Sequence, residues 1–151
     1  MGREIRRILL AEDNENDVEL TLTALRANSL VNEVTVVRDG AEALDFLKRR
    51  GSYANRDPGL PALMLLDLKM PKVDGLEVLR VVKADPDLRT LPVVVLTSSR
   101  EEQDLVQSYN LGVNAYVVKP VDFCAFMDAV KLLGGFWALL NEPPPVPVQA
   151  S

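Results

Sequence analysis

Five polar residues close short apolar runs in this chain. Ile8-Leu9-Leu10-Ala11 hands over to Glu12 and Asp13, and Leu63-Met64-Leu65-Leu66 to Asp67, which is followed by Leu68-Lys69-Met70-Pro71. Residues 92 to 96 end at Thr97, and residues 115 to 118 at Lys119. Brought together, three carboxylates repel one another. Two charges ~5 Å apart at an effective dielectric of ~20 cost roughly 3 kcal/mol. Lys119 offsets part of this, and a hard divalent cation would offset more. The chain has no histidine, and an oxygen-only ligand set favours Mg²⁺ over zinc or copper. Asp67 is then a candidate nucleophile, because aspartate can take a phosphoryl group as an acyl phosphate. The Lys119 ammonium would neutralise phosphoryl oxygens and the Thr97 hydroxyl would donate a hydrogen bond to one. Phosphoryl transfer depends on positioning and charge neutralisation, so this sparse set suffices.

The elements that must position these residues follow from periodicity. Strands are expected at about residues 6–11, 34–37, 62–66, 91–96 and 115–118. Helices are expected at 14–28, with Val18, Leu22 and Leu25 on one face, and at 41–49, with Ala43, Leu44 and Leu47 inward. Further helices are expected at 76–84, stopped by Asp85-Pro86, at 100–111, stopped by Gly112, and at 121–133, broken by Gly134-Gly135. The Gly-, Pro- and Asn-rich stretch 51–61 reads as a loop. Alternating strands and helices predict βαβ units, a doubly wound α/β fold with a five-stranded parallel sheet. Ligands of such sheets bind beyond the C-terminal strand ends, where all five polar residues fall. Asp13 or Asn14 can also cap the first helix, which is compatible with metal binding. Ser98, Ser99 and Arg100 read as a loop and helix start, with the Ser98 backbone amide a further phosphate donor. Cys124 reads as a small core residue of the last helix.

Bulk properties bound the function. A chain of 151 residues supports one sizeable core. A net charge of −5 argues against a broad nucleic-acid footprint. No apolar run approaches the ~20 residues of a membrane span, and the N-terminus does not read as a signal peptide. One cysteine excludes an internal disulfide and fits a reducing cytoplasm. The tail holds Phe136, Trp137, Leu139 and Leu140 ahead of Pro143-Pro144-Pro145-Val146-Pro147. Each large apolar side chain is worth ~1.5–3 kcal/mol when buried, so residues 134–151 are expected to form an arm in a homodimer interface.

From about residue 6 to residue 133 the chain resembles the receiver domain of two-component response regulators. The resemblance implies a flavodoxin-like strand order, 2-1-3-4-5, for a receiver unit over residues 1–133. It implies that Asp67 is the phosphoacceptor and that Glu12 and Asp13 form the acidic pair. Asp13 and Asp67 would ligate Mg²⁺ directly, Glu12 through water, and the Lys69 backbone carbonyl would be a further ligand. Thr97 and Lys119 match the switch hydroxyl and the phosphate-pairing lysine, and Tyr116 the switch aromatic. Lys119-Pro120 matches a step whose peptide bond is usually cis. With Gly51-Ser52-Tyr53 and Phe136-Trp137, the chain is similar to the single-domain regulators that partner phytochrome sensor kinases. The implied phosphodonor is therefore a sensor histidine kinase of phytochrome type. On phosphorylation Thr97 would move toward the phosphoryl oxygen and Tyr116 into the space it leaves.

Other readings use the same residues differently. Singly, an Asp after a strand is a turn or cap residue, Lys119 a solvated lysine and Tyr116 a packing residue. A phosphatase of the haloacid dehalogenase type also uses an aspartyl phosphate, but places an acid two residues on, where this chain has Lys69. A flavin carrier needs a hydroxyl- and glycine-rich loop where Glu12-Asp13-Asn14-Glu15 stands, and a nucleotide hydrolase needs a G-x-x-x-x-G-K-[ST] loop that is missing. A receiver that binds partners without phosphorylation is the remaining alternative.

Overall fold

The computed structural model describes residues 7–26, 33–113 and 115–132. The arm residues Phe136, Trp137, Leu139 and Leu140 lie outside this range. The elements run β1 (Ile8–Ala11), α1 (Glu15–Arg26), β2 (Val34–Val37), α2 (Gly40–Lys48), β3 (Leu63–Asp67), α3 (Gly75–Ala84), β4 (Val93–Thr97), α4 (Arg100–Ser108), β5 (Tyr116–Val118) and α5 (Phe123–Leu132). All five strands are parallel, in the order β2-β1-β3-β4-β5.

Side chains alternate across each strand and so feed two cores. Ile8, Leu10, Leu63, Leu65, Val94, Leu96 and Val117 face Val18 and Leu25 of α1 and Phe126 and Ala129 of α5. Leu9, Ala11, Met64, Leu66, Val93 and Val95 face α2, α3 and α4 through Ala43, Leu47, Val78, Leu79, Val82 and Val106. Covering both faces explains why the central strands are continuous apolar runs and not half-polar ones.

Each helix starts on a side-chain cap. Asn14 accepts from the Asp17 amide at 3.0 Å, Asp39 from Glu42 at 2.7 Å and Asp74 from Glu77 at 2.9 Å. Ser99 accepts from Glu102 at 3.2 Å and Asp122 from Ala125 at 2.8 Å. Such caps satisfy amides that lack an intrahelical partner.

Two expectations change. Helix α4 ends at Ser108, short of Leu111. Tyr109 caps it, and Asn110 takes a left-handed φ of 54° before Gly112 is reached. Cys124 is exposed. Phe126 and Ala129 fill the inward side of α5, and two residues earlier along a helix of 3.6 residues per turn points nearly opposite to Phe126. The stretch 51–61 contains one short 3-10 turn, Gly51–Tyr53. Arg56 pins that loop by donating from Nε to the Phe46 carbonyl at 2.7 Å and lying over the Phe46 ring.

Candidate functional site

Strand register delivers the site. Ala11 lies beside Leu66, Asp67 beside Leu96 and Thr97 beside Val118. Glu12 and Lys119 therefore emerge one residue past their strands, Glu12 level with Asp67 and Lys119 one step beyond Thr97. Backbone bonds continue the ladder there. The Glu12 amide donates to the Val37 carbonyl at 3.0 Å, and the Lys119 amide to the Thr97 carbonyl at 2.8 Å. The Lys119-Pro120 peptide bond is cis.

Carboxylate oxygens of Glu12, Asp13 and Asp67 lie within 4.8 Å of one another. Glu12 and Asp67 are buried, and Asp13 is exposed. Lys119 reaches across the cluster. Its Nζ lies 3.1 Å from Asp67 Oδ1, 3.3 Å from Glu12 Oε1 and 3.0 Å from Asp17 Oδ2. All three ammonium donors are thus engaged by carboxylates. Thr97 Oγ1 is buried and has no hydrogen-bond partner among the described residues. Tyr116 is half-buried, with its hydroxyl donating to the Val113 carbonyl at 3.2 Å.

The electrostatics follow from burial and crowding. Burial, with the Asp67 charge beside it, pushes the Glu12 carboxyl up to about 7, against Lys119 and the Asn14 amide. Burial also raises Asp67, opposed by Lys119. Burial disfavours the charged Lys119, but the Asp17 hydrogen bond and the Asp67 and Glu12 charges outweigh it and raise the ammonium above the ordinary lysine range. The pocket is a concentrated acid cluster with one cation. Its donors are all oxygens, and a hard divalent cation suits them.

The structure brings Glu12, Asp13, Asp67 and Lys119 into one cluster, with Thr97 beside Val118 at the same sheet edge. The Lys69 side chain is 78% exposed and pairs with Glu102 at 3.0 Å. The Ser98 amide is already engaged, donating to Glu102 Oε1 at 2.9 Å. Burial works against the Glu102 charge, but its bonds to Ser98 and Lys69 hold the carboxyl below the ordinary glutamate range.

Two participants were absent from the sequence reading. Asp17 is the third residue of α1, where an acid ordinarily supports the helix start. Here Glu12 Oε2 accepts from the Asn14 amide at 3.2 Å, which leaves the Asp17 carboxylate free to hold Lys119. Its position one turn beyond Asp13 was the available signal. Glu102 is the second, and its spacing from Ser99 signalled a helix cap and nothing more.

The model of the response regulator receiver domain matches residues 8–131. The chain belongs to that family. Its relatives include the response regulator Rcp1 of Synechocystis sp., 42% identical over 130 residues, covering 86% of this chain and 87% of that protein. The bacteriophytochrome response regulator AtBRR is 67% identical with a TM-score of 0.86, covering 92% of this chain and 99% of that one. The phosphorylated cyanobacterial phytochrome response regulator RcpA is 43% identical with a TM-score of 0.70, covering 89% and 94%. The Mn²⁺-bound form of Rcp1 has a TM-score of 0.69 at 41% identity, covering 87% and 94%. This receiver is thus related to the phytochrome response regulators. Among its described residues no helix is long and apolar enough to cross a membrane.

Proposed function

We propose that this receiver accepts a phosphoryl group on Asp67 from the phosphohistidine of a phytochrome-type sensor kinase and signals by altered partner binding or dimerisation. The observation that carries the reading is Lys119 Nζ at 3.1 Å from Asp67 Oδ1 inside a three-carboxylate cluster. In the transfer the donor P–N bond breaks and its electron pair stays on the imidazole nitrogen, which takes a proton from solvent. An Asp67 oxygen forms the new O–P bond. Asp13 and Asp67 would hold Mg²⁺ directly, Glu12 through water and the Lys69 carbonyl as a further ligand. When bound, the metal supplies charge neutralisation at the phosphoryl oxygens. Lys119 pairs with one phosphoryl oxygen, while Thr97 and the Ser98 amide donate to others. Thr97 is suited to this because its hydroxyl is buried with no other partner among the described residues.

The Mn²⁺-bound form of Rcp1 and the phosphorylated form of RcpA support the metal and the phosphoryl group by kinship. Kinship with bacteriophytochrome regulators supports the kinase type, and a histidine-kinase donor would imply a cytoplasmic location. Residues 1–133 would form the receiver, and Phe136, Trp137, Leu139 and Leu140 of the arm 134–151 would join two copies. Movement of Thr97 would release Tyr116 from its present bond to Val113 and remodel the face of α4, β5 and α5.

Incubation with acetyl phosphate and Mg²⁺, followed by intact mass, tests the proposal. The expected result is one added phosphoryl group, absent in Asp67→Asn. An unmodified wild type, even with a phytochrome kinase, would leave a phosphorylation-independent binding module as the better reading.

A further inference from the structure

Glu102 holds a donor that the proposed phosphoryl group on Asp67 would need. It is the third residue of α4, with a side chain only 13% exposed. Its Oε1 accepts from the Ser98 amide at 2.9 Å, and its Oε2 accepts from the Ser98 hydroxyl at 3.0 Å. Lys69 Nζ lies 3.0 Å from the same Oε2. An internal carboxylate thus occupies the donors just past β4 and ties the loop after Asp67 to α4. The neighbouring residue, Thr97, carries a buried hydroxyl with no partner among the described residues. One donor at this edge stands ready for an anion, and the next is taken.

We propose that Glu102 is an internal competitor of the phosphoryl group, holding the Ser98 donors in the resting protein and giving them up when Asp67 is modified. The inference rests on the reading of Asp67 as the phosphoacceptor. A phosphoryl oxygen and the Glu102 carboxylate want the same N–H and repel each other, so occupancy by one excludes the other. No bond is made or broken at Glu102. Its displacement unties Lys69 from α4 and leaves Ser99 as the sole side-chain cap of that helix. A chemical event at Asp67 is thereby passed to the start of α4.

A simple helix cap is the competing explanation, and the protein contains its own control. Glu42 is the third residue of α2, and its Oε1 accepts from the Arg38 amide at 2.9 Å. Its Oε2 accepts from the Tyr53 hydroxyl at 2.6 Å. The capping geometry therefore recurs on a helix whose capped amide follows the outer strand β2, two strands away from the strand that carries Asp67. Only at Glu102 does the capped amide belong to the residue after Thr97, and only there does the cation two residues past Asp67 join.

Beryllofluoride, which forms a tetrahedral phosphoryl mimic on aspartate, separates the two. Its Mg²⁺-dependent binding is titrated by fluorine NMR in the wild type, Glu102→Gln and Glu42→Gln. Glutamine keeps an acceptor for the amide and removes the charge. Glu102→Gln is expected to bind roughly tenfold more tightly, the factor given by about 1.4 kcal/mol, and Glu42→Gln like the wild type. Equal or weaker binding by Glu102→Gln, or equal tightening in both variants, overturns the competitor. Absence of any bound fluoride signal in the wild type overturns the phosphoacceptor reading, and the competitor with it.

Discussion

The Thr97 hydroxyl is buried without a hydrogen-bond partner among the described residues, a condition that costs about 1–3 kcal/mol. Valine has nearly the same shape and no hydroxyl. Thr97→Val should therefore stabilise the resting protein by about 1 kcal/mol, read as a higher urea midpoint at unchanged slope. The same change should slow phosphorylation by acetyl phosphate, because the hydroxyl is the group expected to donate to a phosphoryl oxygen. A destabilised Val variant would mean that Oγ1 has a bonding partner in solution. A stabilised variant with undiminished phosphorylation would remove Thr97 from the phosphoryl site. Opposite effects on stability and on phosphorylation would mark Thr97 as a group held ready for a ligand.

At the scale of elements, the β3–α3 connection sets where Asp67 points. The Gly75 amide donates to the Leu68 carbonyl at 2.8 Å, drawing the start of α3 onto the strand end. A Cβ at Gly75 would lie 2.2 Å from the Asp67 carbonyl oxygen and 2.6 Å from Leu68 Cα. Both neighbours are backbone, so the strand end or the helix must move. Gly75→Ala should cost about 2–4 kcal/mol by overpacking and slow Asp67 phosphorylation, measured by urea unfolding and intact mass. Unchanged stability would show that the loop yields freely. The strands that hold this edge were legible from sequence because each is an apolar run ending at a polar residue, and the sheet buries both faces. The end of α4 was not, because Asn110 adopts the left-handed turn two residues before the glycine that reads as the stop. Cys124 was misplaced because apolar character alone does not say which side of α5 faces the core, the side that Phe126 and Ala129 occupy. Asp17 and Glu102 were hidden by a local rule: an acid three residues past a cap is already explained as helix support. Only the tertiary placement of Lys119, Ser98 and Lys69 gives those acids a second use.

For the whole molecule, the acid cluster makes stability depend on pH, and a bound metal would add to that dependence. Folding raises the Glu12 carboxyl from its ordinary 4.5 to about 7, chiefly through burial and then through Asp67. Between those values the folded chain holds a proton that the unfolded chain has released. The stabilisation is therefore fully present below about 4.5 and is lost as pH rises through about 7. Glu12→Gln mimics the protonated form at every pH. Without metal, the variant should match the wild type near pH 5 and exceed it by up to a few kcal/mol near pH 8. Mg²⁺ should reverse the order. Binding favours the deprotonated cluster, so it releases a proton, and the wild type gains about 2.7 kcal/mol at a hundred times its dissociation constant. The glutamine variant, with a weaker site, should gain less at the same concentration. Urea unfolding across pH 5–8 with and without Mg²⁺ reads all four combinations. A metal-free gap that fails to widen with pH would show that Glu12 folds already ionised. A wild type indifferent to Mg²⁺ would mean that the three carboxylates do not form a metal site at all.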